Sequence, residues 1–137
     1  MILADTSVWV THLRSGEAAL AALLDANLIL AHPFVIGELA LGNLSRREAV
    51  LTALLDLPAA VVATDPEVLE FIDRHALFGR GVGYVDAHLL AAARLTAGAK
   101  LWTHDKRCTA SRTPWAWRRS RADLCRRQFL ANNRILW

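Results

Sequence analysis

Four carboxylates stand where this sequence could do chemistry with them. Asp5 ends the apolar run Met1-Ile2-Leu3-Ala4, and Asp105 closely follows another, Lys100-Leu101-Trp102-Thr103. Glu38 lies in the apolar segment Phe34-Val35-Ile36-Gly37-Glu38-Leu39-Ala40-Leu41 and shares a helical face with Phe34, Val35 and Leu41. Asp86 falls in the first turn of a helix starting at Tyr84, on one face with Leu89, Leu90 and Ala93. Each has a structural explanation when taken alone. Asp5 and Asp105 can cap the helices after them, Asp86 complements a helix dipole, and Glu38 fits a partly exposed helix end. As a set they say more. Two follow strands and two sit near helix N-terminal halves. In a parallel α/β sheet, strand C-termini and the helix starts after them share one edge, where such folds bind ligands. Carboxylates converging there repel one another without a counter-charge. Hard oxygen donors suit Mg²⁺ or Mn²⁺, and such an ion can activate water and hold the oxygens of a phosphate through in-line displacement.

The elements that must position these acids are legible from the same residues. Apolar runs at 1–4, 28–31, 60–63 and 100–103 read as buried strands. Helices are expected between them. One follows Asp5, and one covers 17–25. One starts at Pro33, which suits a first turn, and stops at Gly42-Asn43. One opens with a Ser45/Glu48 capping box and ends before Pro58. One is capped by Thr64 or Asp65 and runs to about Ala76, and one spans 84–97 and is closed by Gly98. Alternating strands and helices predict an α/β domain whose parallel β-sheet of four or five strands is flanked by helices. Gly79, Gly81 and Gly83 mark a mobile loop: they follow no strand and lack the full dinucleotide-binding spacing. Trp9, Phe34, Phe71 and Trp102 are expected in the core, and the five histidines show no metal-ligand spacing.

A chain of 137 residues suits one domain with a real core. No apolar run approaches the roughly 18 residues of a membrane span, and no secretory signal is expected at the start. Cys108 and Cys125 are too few for a disulfide framework and lack zinc-site spacing, so a cytoplasmic location is expected. Charge is unevenly spread. Residues 1–105 carry seven Lys/Arg against twelve Asp/Glu, and residues 106–137 carry nine against Asp123 alone, giving −5 and +8 for the total of +3. A basic tail on an acidic body predicts contact with a polyanion.

Asp5-Thr6-Ser7-Val8-Trp9, Gly37-Glu38-Leu39, Val85-Asp86-Ala87-His88-Leu89-Leu90-Ala91-Ala92-Ala93 and Thr103-His104-Asp105 resemble, in order and separation, the motifs of PIN-domain nucleases. The likeness is closest to VapC toxins of prokaryotic type II toxin–antitoxin systems, and it covers residues 1 to about 107. No single motif is specific, but the ordered set is. The resemblance implies an Mg²⁺- or Mn²⁺-dependent endoribonuclease that hydrolyses RNA with metal-activated water. It also implies a cognate antitoxin, a homodimer, and a heterotetramer or larger assembly with the antitoxin. Asp5, Glu38, Asp86 and Asp105 match the family's catalytic, metal-holding acids, and Thr6 and Thr103 match hydroxyl positions that help arrange the site. Arg80, Lys106 and Arg107 are candidate RNA contacts. An aspartate-nucleophile phosphatase also places an Asp after its first strand, but the second Asp of its Asp-x-Asp pattern is Ser7 here. The rival from another class is a catalytically silent RNA-binding or regulatory module of the same fold.

The ending departs from the family's pattern. A nuclease domain at 1–107 is followed by an atypical basic tail, residues 108–137, with Trp115, Trp117 and Trp137 among its arginines. Such a mixture can hold RNA through phosphate contacts and stacking, or pack as a helix. Large aromatics rarely stay solvated, so the expectation is a helix over about 114–130, packed on the body by Trp115 and Phe129.

Overall fold

A computed structural model describes residues 1–107 and the backbone of 116–117. The chain opens with strand β1 (Ile2–Ala4), helix α1 (Thr6–Ser15), helix α2 (Ala18–Asp25) and strand β2 (Ile29–Leu30). Helices α3 (Pro33–Leu41), α4 (Arg47–Leu55), α5 (Asp65–Arg74) and α6 (Tyr84–Leu95) follow, then β3 (Lys100–Trp102) and β4 (Ala116–Trp117). The strands form one sheet in the order β2-β1-β3-β4, and every pairing is parallel. β1 is central: Leu3 pairs with Leu30 on one side and Leu101 on the other, and Ala4 is level with Trp102. Ile2, Leu3, Ala4, Ile29, Leu101 and Trp102 are all buried, as strands covered by helices on both faces must be. Leu20, Leu90 and Val8 complete the core between sheet and helices.

The chain leaves β1 toward β2 on one side and later returns to β3 on the other. That reversal of direction opens a crevice at the carboxyl ends of β1 and β3. Asp5 and Thr103 are the first residues beyond those two ends.

Three local expectations give way. Residues 60–63 do not form a strand. Ala31 N–H reaches Pro58 O and Ala60 N–H reaches Ala31 O, both at 2.8 Å, making a single bridge between Ala31 and Ala59. Pro58 has no N–H to extend a ladder, and Val61 N–H turns away to Thr96 Oγ1 at 2.9 Å. α4 is not opened by Ser45: its cap is Arg46 with φ 54°, and no side chain closes it. A tight turn, with Leu44 N–H on Gly42 O, instead brings the Arg47 guanidinium to Ala40 O at 2.8 Å, so Arg47 satisfies the end of α3. The helix expected over 114–130 meets strand at 116–117, where Ala116 and Trp117 pair with Leu101 and Trp102. An open β3 edge is a ready template for an extended segment. Trp115, Phe129 and the rest of that expectation lie outside the described residues.

α3 is also less buried than its composition implies. Val35 and Leu39 face the core, while Phe34 is 36% exposed and Leu41 90% exposed. Glu38 lies on that open side. Trp9 and Trp102 are core residues as expected; Phe34 is not.

Candidate active site

The crevice is built on Asp5. Its backbone continues β1, with its N–H on Trp102 O at 3.0 Å. Its side chain caps α1: Oδ1 accepts from Ser7 N at 2.8 Å and Oδ2 from Ser7 Oγ at 2.9 Å. Buried Thr103 donates its hydroxyl to Asp5 Oδ2 as well. The same Thr103 oxygen accepts from Asp105 N at 2.9 Å, and His104 N donates to Ser7 Oγ at 3.2 Å. One hydroxyl therefore ties the acid after β1 to the acid after β3. Capping and site construction are performed by one carboxylate, so the structural and functional explanations of Asp5 do not compete.

Thr6, beside Asp5, donates its hydroxyl to Glu38 Oε2 and so brings α3 to the crevice. Asp86 turns to the start of its own helix, where Oδ2 accepts from Gly83 N at 3.1 Å. This is half a capping box, since Gly83 has no side chain to return the bond. A Cβ on Gly83 would stand 3.0 Å from that oxygen. Asp105 is held by Arg107: its oxygens accept from the backbone N–H at 2.8 Å, from Nε at 3.2 Å and from Nη2 at 2.8 Å. These bonds keep the Asp105 carboxyl below the usual carboxylate range. The Arg107 stem also passes Gly81, where an added Cβ would lie 3.3 Å from Cδ. Thus Arg107 spans from the fourth acid to the glycine loop that carries Arg80, and its guanidinium is already engaged with a carboxylate. Lys106 is exposed beside it.

Asp5, Thr103 and Asp105 are joined by hydrogen bonds, and so are Thr6 and Glu38. Among the described residues, no three His, Cys, Asp or Glu side chains are grouped closely enough to hold a metal ion. The donor set nevertheless has the chemistry a hard divalent cation takes: carboxylate oxygens with hydroxyls behind them. Ser7 escaped attention in the sequence as a site residue. The Asp-x-Ser spacing that lets a side chain fold back on the next turn was its signal.

The histidines also hold something sequence spacing did not reveal. His32 and His88 are both buried, and both rings pack against Phe34. His32 caps α3, with Nδ1 accepting from Phe34 N at 3.2 Å. Burial, and then the neighbouring His88, push its pKa down to about 4.

The profile of the PIN domain family matches residues 2–115, and the chain belongs to that family. Within it the chain is of the VapC type. Ribonuclease VapC32 of Mycobacterium tuberculosis is 50% identical over 111 residues, covering 81% of this chain and 90% of the relative. The match holds for strain CDC 1551 / Oshkosh and for strain ATCC 25618 / H37Rv. No solved structure matches. No described helix is long and apolar enough to cross a membrane.

Proposed function

We propose that this chain is a metal-dependent endoribonuclease, the toxin of a toxin–antitoxin pair, acting on RNA in the cytoplasm. The observation that carries the reading is the Asp5–Thr103–Asp105 linkage at the β1/β3 switch point, in a chain half identical to a ribonuclease over most of its length. Asp5, Glu38, Asp86 and Asp105 would hold Mg²⁺ or Mn²⁺. The bound ion supplies an activated water and neutralises charge on the phosphate that is attacked.

The chain's own residues do the arranging. Ser7 and Thr103 fix both oxygens of Asp5, so that carboxylate need not reorganise when a cation arrives. Thr6 orients Glu38. Arg107 supplies a counter-charge to Asp105, and its guanidinium would offer a fork to a phosphate oxygen at the same rim. Lys106 and Arg80 add positive charge along the same rim. The tail, residues 108–137, adds basic charge for RNA.

The antitoxin is proposed to dock beside α1 and α3. A cavity of about 160 Å³ there is lined by Val10, Leu13, Leu39 and Leu44, with Glu38 and Arg14 at its wall. An apolar segment fits the groove, and an Arg or Lys carried by it reaches the acids as a forked or point donor. The toxin is a homodimer on this reading, and a heterotetramer or larger with antitoxin. Two measurements test the core of the proposal. Calorimetry with Mn²⁺ should show binding that is lost in Asp86→Asn, and chelation should stop cleavage of a short RNA. Cleavage that persists undiminished in chelator would sink the metal-dependent reading.

A further inference from the structure

Beside the acids lies a feature that metal chemistry does not require. Phe34 and Tyr84 are 36% and 48% exposed, yet both rings are fixed edge-on against one buried side chain. The His88 ring sits 4.6 Å from the Phe34 ring at 63° and 4.6 Å from the Tyr84 ring at 89°. The two exposed rings are therefore no more than twice that distance apart. Each is locked from behind. Tyr84 donates its hydroxyl to Asp65 Oδ1 at 3.0 Å, and Phe34 packs edge-on to His32 at 5.3 Å. Part-exposed aromatic rings pinned by their neighbours are an unusual use of large side chains, which ordinarily bury.

The histidines behind them point the same way. His88 is 1% exposed, and neither ring nitrogen has a hydrogen-bond partner; Nε2 stands 3.4 Å from Asp65 Oδ1 without forming a bond. His32 Nε2 is buried and unpartnered too. Buried unpaired nitrogens are unfavourable for folding, and a fold carries them where another requirement outweighs that penalty. Here they back two exposed rings.

Position decides what the rings would meet. Tyr84 opens α6, two residues before Asp86. Phe34 is four residues before Glu38, just over one helical turn or about 6 Å of rise. Phe34 thus shares a face of α3 with Glu38, and Tyr84, packed on the same His88 ring, stands close to Phe34. The exposed carboxylate of Asp65 stands at the Tyr84 edge and disfavours a phosphate there. What the platform offers is π-faces, and a nucleobase is the part of an RNA that takes them.

We propose that Phe34 and Tyr84, braced by His88, form a stacking subsite for an unpaired base of the RNA next to the bond that is cut. The proposal rests on the nuclease reading above and adds the way the chain holds single-stranded substrate. Bases in a duplex are already stacked, so the subsite selects unpaired RNA.

The test uses the full chain in chelator, so that RNA is bound and not cut. Short single-stranded RNAs carry the fluorescent base 2-aminopurine at successive positions. Quenching should appear at one or two adjacent positions with the wild-type protein, and should be absent with a duplex of the same sequence. Phe34→Leu and Tyr84→Leu should each remove that local quenching and weaken binding by about 5- to 100-fold. Phe34→Tyr and Tyr84→Phe should restore both, which separates stacking from the Tyr84 hydroxyl bond to Asp65. The wild-type quenching map needs no variant and stands if a substitution disturbs folding. Uniform quenching along the strand, or leucine variants that bind RNA like wild type, would overturn the subsite while leaving the nuclease intact. Variants with unchanged RNA affinity but impaired antitoxin binding would assign the rings to a protein interface and overturn it as well. A wild-type protein that neither binds nor, with Mg²⁺ restored, cuts RNA would remove both readings together.

Discussion

Replacing Thr103 with Val keeps the shape of a buried side chain and deletes the one hydroxyl that joins the two strand-end acids. In the folded protein that hydroxyl donates to Asp5 Oδ2 and accepts from Asp105 N. Thr103 is 1% exposed and Asp5 7% exposed, so water cannot easily take over either bond. Loss of a hydrogen bond to a charged group removes about 1.5–3 kcal/mol, and an amide left unpaired adds about 1 kcal/mol when it is only partly buried. Asp5 keeps its two bonds from Ser7, which holds the total to about 2–4 kcal/mol. For a domain of this size that lowers Tm by something on the order of 10 °C. Thr103→Ser is the control. It keeps the hydroxyl and loses one buried methyl, about 1 kcal/mol. Urea denaturation in chelator would rank the proteins, and RNA cleavage with Mg²⁺ would follow the same order because Asp5 is no longer held in place. A Val variant as stable as the Ser variant would refute the reasoning, since packing alone would then explain Thr103.

Other outcomes follow from the same contacts. Asp5→Asn removes a charge from an acidic crevice but places an amide where the carboxylate accepted bonds from Ser7 and Thr103, so urea titration should show a loss of about 1–2 kcal/mol rather than a gain. The His32 pKa is depressed from 6.5 to about 4, so its neutral form contributes stability that is present above pH 6.5 and lost as pH falls toward 4. Between pH 7.5 and 5 the loss is about 2 kcal/mol, and His32→Asn, which can still cap α3, should flatten that part of the pH–stability curve. Gly83→Ala should displace the Asp86 carboxylate, because the new Cβ falls 3.0 Å from Oδ2; Mn²⁺ affinity measured by calorimetry should drop while Tm stays within about 2 °C. Arg107→Ala removes the ion pair that holds the partly buried Asp105 carboxylate and should tighten Mn²⁺ binding about two- to five-fold while weakening RNA binding, read by anisotropy. Truncation after Lys106 strips β3 of β4 and should lower the melting temperature, where an unchanged one would assign the tail to RNA alone.

Much of the fold was legible because short apolar runs, Pro33 at a helix start and Thr64 as a helix cap are local signals that the structure keeps. Glu67 Oε2 accepts from Thr64 N and from Thr64 Oγ1, both at 2.7 Å. Gly98, at φ 69°, takes the left-handed turn after α6 that favours glycine. What failed was non-local. The run at 60–63 looked like a strand, but Thr96, far along the chain, took its next N–H. Arg46 adopts a left-handed conformation that no arginine advertises, because the turn after Gly42 demands it. Phe34 was expected in the core on hydropathy; its exposure depends on which face α3 turns to the sheet, and Val35 and Leu39 took that face. Asp5 and Asp105 do follow β1 and β3 and Asp86 does lie in the first turn of α6, whereas Glu38 sits past the middle of α3. The hydroxyl links among them, Ser7's part in particular, and the meeting of His32 with His88 belong to the tertiary structure.

The central claim is that Asp5 anchors a ribonuclease site. The most direct measurement maps RNA ends across total cellular RNA treated with wild type and with Asp5→Ala, each in Mg²⁺ and each shown to be folded. Discrete new ends with wild type that disappear with the variant are the predicted result. The same ends, at the same yield, from the Asp5→Ala protein would contradict the account.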